Sequence, residues 1–152
     1  MQYGVSALVW VAPFVDKDIP LIGHVGSMGF EILEIPVWDE PFEIPRVADE
    51  LRAHGVEASV AAYQTEDRDM TNPDESVRSR GIQHLKHCID AANEMGATRI
   101  VGPLGAPAHA AYRLRTPAEL KRDIETCAAG LREAAAYAED KGILLVLSLI
   151  HI

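Results

Sequence analysis

Residues 142–152 read GILLVLSLIHI. From Ile143 to Ile152 every residue except Ser148 and His151 is a branched aliphatic, and none is an acid, a lysine or an arginine. A short apolar run introduced by a glycine is the pattern of a strand buried in a parallel sheet. The same punctuation occurs earlier, in SMGFEILEI (27–35), AHGVEASVA (53–61) and EMGATRIVG (94–102). Each closes a helical pattern with glycine and opens an extended apolar one. Gly29, Gly55, Gly96 and Gly142 are therefore expected just past helix C-termini, where positive φ is needed.

Working outward, the stretches between these runs carry helix signals. NPDE (72–75) reads as a start with Asn72 as N-cap, Pro73 at the first position and Glu75 at the third. TPAE (116–119) repeats the device with Thr116, Pro117 and Glu119. After Thr116, Leu120, Ile124, Cys127, Leu131, Ala134 and Ala138 step by fours and threes, which predicts one buried stripe. Val77, Gly81, Leu85, Cys88, Ala92 and Met95 do the same on the preceding helix. Two shorter helices are expected near 18–28 and 44–54, and a first strand over Tyr3–Trp10. The order is β-α-β-α-β-α-β-α-β, whose strict alternation predicts parallel strands joined by right-handed crossovers. Two architectures fit that order. One is a doubly wound five-stranded sheet. The other is the first part of an eight-fold β/α barrel, which takes roughly 250 residues in full. A doubly wound domain usually closes with a helix after its fifth strand, and none follows Gly142–Ile152.

The chain has 152 residues and a net charge of −9, with no cluster of Lys and Arg. A nucleic-acid partner would need such a basic footprint. No apolar run reaches about 18 residues, so no membrane span is expected. The N-terminus lacks the basic start of a signal peptide, which with two reduced core thiols, Cys88 and Cys127, sets the expectation of a cytoplasmic protein.

Ligands of either architecture sit at the C-terminal ends of the strands. Trp10 and Phe14 after strand 1 either form an aromatic wall for a small ligand or cap the core. Glu34, inside the apolar ILEIPV, must be paired or face a site, because a bare buried carboxylate is costly. Gly102 and Pro103 end strand 4 with open backbone, suited to a ligand or to a tight turn. His109 is read as loop. His84 and His87 stand three apart on a helix, and their neighbours Gln83 and Lys86 point to a solvated face rather than a metal site. The glycine-rich nucleotide loops, the nucleophile elbow and Cys-x-x-Cys are absent.

MQYGVSALVWVAPF (1–14), GFEILEIPV (29–37), the run from Arg68 to Leu104 and GLREAAAYAEDKGILLVL (130–147) together resemble the sugar phosphate isomerase/epimerase family of xylose isomerase-like barrels. The likeness is greatest to its D-tagatose and D-psicose 3-epimerases, and it is most specific from Asp69 to Leu104. The resemblance implies the (β/α)8 TIM barrel, represented here from β1 to β5. It also implies an isomerase or epimerase of a sugar or sugar phosphate that moves a proton at a carbon next to a carbonyl. The family holds a divalent cation, Mn²⁺, Mg²⁺ or Co²⁺, on Glu, Asp, His and Glu at the ends of strands 5 to 8. Ser148 stands where the first of these glutamates would be, Leu149 where a proline would be, and His151 on an asparagine. The resemblance therefore assigns no catalytic residue and no metal ligand to this chain. What it implies is the substrate-side wall: Trp10, Phe14, Glu34, Gly102, Pro103 and Leu104. Ser6 and Tyr63 depart from the epimerase pattern. Residues 1–147 are expected to be the N-terminal part of the barrel domain. Residues 148–152 are expected to be a non-native or disrupted tail, because LSLIHI resembles a translated sequencing adapter. The chain alone is then expected to be inactive. Readings left open beside this one are an inosose dehydratase, a hydroxypyruvate isomerase, or a non-catalytic half-barrel that self-associates as a homo-oligomer.

Overall fold

The computed structural model describes residues 1–107 and 113–148. Its main elements are β1 (Gly4–Ser6), α1 (Leu21–Ser27), β2 (Ile32–Pro36), α2 (Ile44–His54), β3 (Glu57–Ala61), α3 (Glu75–Met95), β4 (Arg99–Gly102), α4 (Pro117–Glu139) and β5 (Leu144–Leu147). All neighbouring strands are parallel, and their order in the sheet is β1-β2-β3-β4-β5. A doubly wound sheet reverses direction at a switch point. Here each crossover advances the chain by one strand in the same sense, as in a β/α barrel.

Strand alternation then divides the residues into two faces. Leu33, Ile35, Val37, Ala58, Val60, Ala62 and Ile100 are buried in the core between sheet and helices. Ser6, Glu34, Ser59 and Arg99 fall on the other parity, together with Leu144, Val146 and Ser148. Leu144 remains 64% exposed, so no described element covers the inner face at β5.

The four helix-ending glycines all take positive φ, 86° at Gly29, 64° at Gly55, 74° at Gly96 and 67° at Gly142. Thr116 caps α4 in a reciprocal box with Glu119, as TPAE predicts. The start of α3 differs from its prediction. Asp74 is the N-cap, accepting from the Ser76 N–H, while Asn72 accepts from the Asp74 N–H one turn earlier. Two Asx-type hydrogen bonds in series thus delay the helix. The first strand is also shorter than Tyr3–Trp10, because Ser6 caps a 3-10 turn over Ala7–Val9. The α3 stripe is buried at Gly81, Leu85, Cys88, Ala92 and Met95. Only the second half of the α4 stripe is, since Ala134 and Ala138 are covered while Leu120 and Ile124 are 49% and 60% exposed. Both cysteines are free thiols.

Two close backbone approaches hold the upper part of the sheet. Gly102 has φ of 150°, and a Cβ there would lie 1.9 Å from the Ala62 carbonyl oxygen. Gly81 lets α3 pack on the Arg68 carbonyl, which a Cβ would approach to 2.3 Å. Gly102→Ala is expected to cost about 2–4 kcal/mol, combining overpacking with backbone strain. Gly29→Ala, with positive φ but open space around it, should cost only about 1 kcal/mol. Urea unfolding of both variants checks the contrast. Equal losses would show that contact with Ala62 does not govern the Gly102 position.

Candidate functional site

The inner face of the sheet is concave and carries a polar row. In-register pairing sets Ser6 beside Glu34 and Glu34 beside Ser59. Arg99 follows on β4, one residue before the Val60–Ile100 pair. These residues line a concavity of about 200 Å³ together with Gly4 and Ile32, and since Gly4, Ile32 and Arg99 are the first residues of β1, β2 and β4 it lies toward the N-terminal half of the strands, below their C-terminal rim. Glu34 and Arg99 are half-buried and stand two strands apart, roughly 10 Å at the usual strand spacing. Among the described residues the side chain of neither has a hydrogen bond or ion pair. Glu34 therefore faces the concavity.

The other sequence-derived candidates separate. Trp10 is 39% exposed and meets His24 edge-on at 6.3 Å between ring centroids. Phe14 is 1% exposed and packs in the core against Phe42 at 5.3 Å. Leu104 is likewise 1% exposed. These two apolar side chains thus shape any site from behind, with no surface of their own in it. Gly102 and Pro103 end β4 half-buried, and Ser148 donates its backbone N–H to the Gly102 carbonyl at 2.9 Å. His109, Leu149 and His151 lie outside the described residues.

Sequence reasoning singled out neither Trp38 nor Arg68. Trp38 and Tyr63 lie two residues beyond the last inward positions of β2 and β3, Pro36 and Ala61. The pairing continues past the strands, with the Val37 N–H donating to the Ala61 carbonyl at 3.1 Å. Their rings meet nearly perpendicularly, 5.3 Å apart at 79°. The period-two pattern of β2, extended by two residues, was the available signal.

Behind this pair lies a buried charge network. Arg68 is 7% exposed and grips Asp39 with both terminal nitrogens, at 2.5 and 3.3 Å. Its Nη1 also lies 3.3 Å from His84 Nδ1. A guanidinium only donates, so Nδ1 accepts and the imidazole proton resides on Nε2, 3.6 Å from Cys88 Sγ. The Cys88 thiol in turn points to the Val37 carbonyl at 3.8 Å. Burial, reinforced by the Arg68 charge, pushes the His84 pKa down to about 4. Burial pushes the Cys88 thiol up to about 12 and Cys127 up to about 11, so neither is an activated thiolate. Tyr63 is raised above its ordinary value, chiefly by burial. Gln64 ties the same loop down, donating to the Gly81 and Leu104 carbonyls at 3.2 and 2.9 Å.

A sequence profile for the xylose isomerase-like TIM barrel matches residues 23–150. The ketose 3-epimerase of Arthrobacter globiformis is 26% identical over 153 residues, covering 99% of this chain and 52% of that protein. An L-ribulose 3-epimerase structure superposes with a TM-score of 0.86 at 23% identity, covering 97% of this chain and 49% of its own. The D-allulose 3-epimerase of Methylomonas sp., solved in complex with D-allulose, gives 0.85 at 21% identity over 97% and 50% of the two chains. The structural matches bear on fold alone. The chain spans about half the length of the curated relatives it matches. Among the described residues no helix is long and apolar enough to cross a membrane.

His84 should make stability depend on pH. Its pKa is lowered in the fold from 6.5 to about 4, so between these values the unfolded chain binds the extra proton. The stabilisation is complete above pH 6.5 and is lost as pH falls toward 4. The facing groups are Arg68, Asp39, His87 and Cys88. Because His84 is only half-buried, the loss by pH 4.5 should be about 1–2 kcal/mol relative to His84→Gln. Urea midpoints of the two proteins at pH 7 and 4.5 test this. Parallel losses in both would refute it.

Proposed function

The chain belongs to the xylose isomerase-like TIM barrel family, and we propose that it forms the substrate-side half of a sugar isomerase/epimerase. The substrate of this reading is a ketose such as D-allulose, and the reaction is proton transfer at the carbon next to its carbonyl. The observation that carries it is the polar row Ser6–Glu34–Ser59–Arg99 on the inner face of the sheet. Hydroxyl groups at that position supply donors for the Glu34 carboxylate and acceptors for the serine hydroxyls. The 3-epimerases among the relatives support the substrate class.

The family resemblance implies a divalent cation. The described residues do not fit one, because they contain no group of three or more His, Cys, Asp or Glu arranged to hold a metal. Ser148, at the inward parity of β5, offers a hydroxyl where the family places a carboxylate. In this reading the chain binds and orients the sugar, and no step is assigned to a metal.

Two measurements test the proposal. Residues 1–152 assayed with D-allulose and Mn²⁺, Mg²⁺ or Co²⁺ should show no epimerisation above the blank, and chelator-sensitive turnover would contradict this. Residues 1–147 joined to the second half of the Arthrobacter globiformis enzyme should epimerise a ketose. In that fusion Glu34→Gln should lower kcat/KM by about 10- to 100-fold, the worth of a charge-assisted hydrogen bond. A fusion that folds cooperatively yet turns over no ketose would sink the reading.

A further inference from the structure

Trp38 and Tyr63 occupy a place that no sequence motif assigns. Both continue the inward parity of their strands, so they stand on the concave face at its C-terminal rim, above Glu34 on β2 and Ser59 on β3. Both are half-buried and touch in a T-shaped pair. In such a pair the edge-on ring keeps its own faces clear of its partner. An aromatic face beside convergent polar groups is the general composition of a small-molecule site.

The pair does not rest on packing alone. Asp39 follows Trp38 directly and is held on both carboxylate oxygens by Arg68. Arg68 is fixed in turn by the 3-10 turn Glu66–Arg68, whose carbonyl backs against Gly81 of α3. Its guanidinium is buried, whereas the Asp39 side chain is 73% exposed. A buried cation thus clamps an exposed carboxylate on the loop that carries the tryptophan. A surface ion pair with two mobile partners would hold little. Here one partner is already immobile, so ordering costs fall mainly on Asp39.

We propose that Trp38 and Tyr63 form an apolar platform for the C–H face of a ketose, and that Arg68 is the positioning residue that sets it through Asp39. This inference rests on the sugar reading above. The weakly positive C–H bonds of the sugar lie on the electron-rich ring face. Its hydroxyls turn deeper into the concave face, toward Glu34. Gly81 belongs to the same device, since any side chain there would push the Arg68 turn away.

The test uses the 152-residue chain labelled with 5-fluorotryptophan. Its two tryptophans give two fluorine resonances, assigned with Trp10→Phe. D-allulose is titrated, and saturation transfer to its own protons reports binding independently. The expected result is a saturable shift of the Trp38 resonance. Tyr63→Leu and Arg68→Met should each weaken binding about two- to tenfold, the worth of an aromatic contact. Arg68→Met should also give Trp38 a larger solvent isotope shift, which Arg68→Lys partly reverses and which loss of a merely structural residue would not produce. If D-allulose shows saturation transfer but leaves Trp38 unmoved and Tyr63→Leu binds within twofold, the platform is wrong and the sugar reading stands. If no saturation transfer occurs at all, the sugar reading of this chain fails and the platform loses its ligand. If Arg68→Met leaves the Trp38 isotope shift unchanged, the positioning role is overturned.

Discussion

The structure depends on the handedness of its crossovers. Right-twisted strands feeding right-handed connections pack their helices back on the sheet in one sense only. In this chain every connection also advances to the adjacent strand, giving the order β1 to β5 without reversal. All four helices must then gather on one face, and the other face is left concave. The alternation of Leu33 and Ile35 with Glu34, or of Ala58 and Val60 with Ser59, is the chemical expression of this division. The buried apolar positions meet helices, and the polar row meets the concavity.

That division also decides what a candidate residue can do. Glu34 occupies a position whose neighbours across the strands are serines, so its charge is not stranded in the core. Phe14 and Leu104 are buried in the hydrophobic core and contribute volume. Gly102 is required by the close approach of β4 to the Ala62 carbonyl. Its role is therefore first a matter of sheet geometry, whatever approaches from the concave side.

The rim is organised by a different kind of contact. Arg68, His84 and Cys88 form a chain of donors and acceptors that ends on the carbonyl of Val37, beside Trp38. The charged member is paired with Asp39 at the surface, which compensates its burial in the way that isolated buried charges cannot. Since His84 stays neutral far below its ordinary pKa, the network keeps one arrangement across the neutral range. The loops after β2 and β3 are thereby joined to α3, and the two rim aromatics inherit that rigidity.

Much of this was legible in the sequence because it depends on local periodicity and backbone chemistry. The glycines after each helix, the Thr116–Glu119 cap, the alternating strands and the α3 stripe all reappear. A glycine needs positive φ, and a stripe needs a covered face, wherever the element lies. The places where the reading shifted are those where neighbours in space overrule local pattern. Asn72 yields to Asp74 as N-cap because a second Asx hydrogen bond is available. Leu120 and Ile124 fit the α4 stripe yet stay exposed, because no described element lies against those turns. Local pattern is enough to make the chain a series of β/α units with Glu34 on a strand. The sequential strand order, the shared row of Ser6, Glu34 and Ser59, and the reach of Arg68 to Asp39 across 29 residues come from packing. Such long-range pairings follow from where the strands and helices pack, and no local pattern records that.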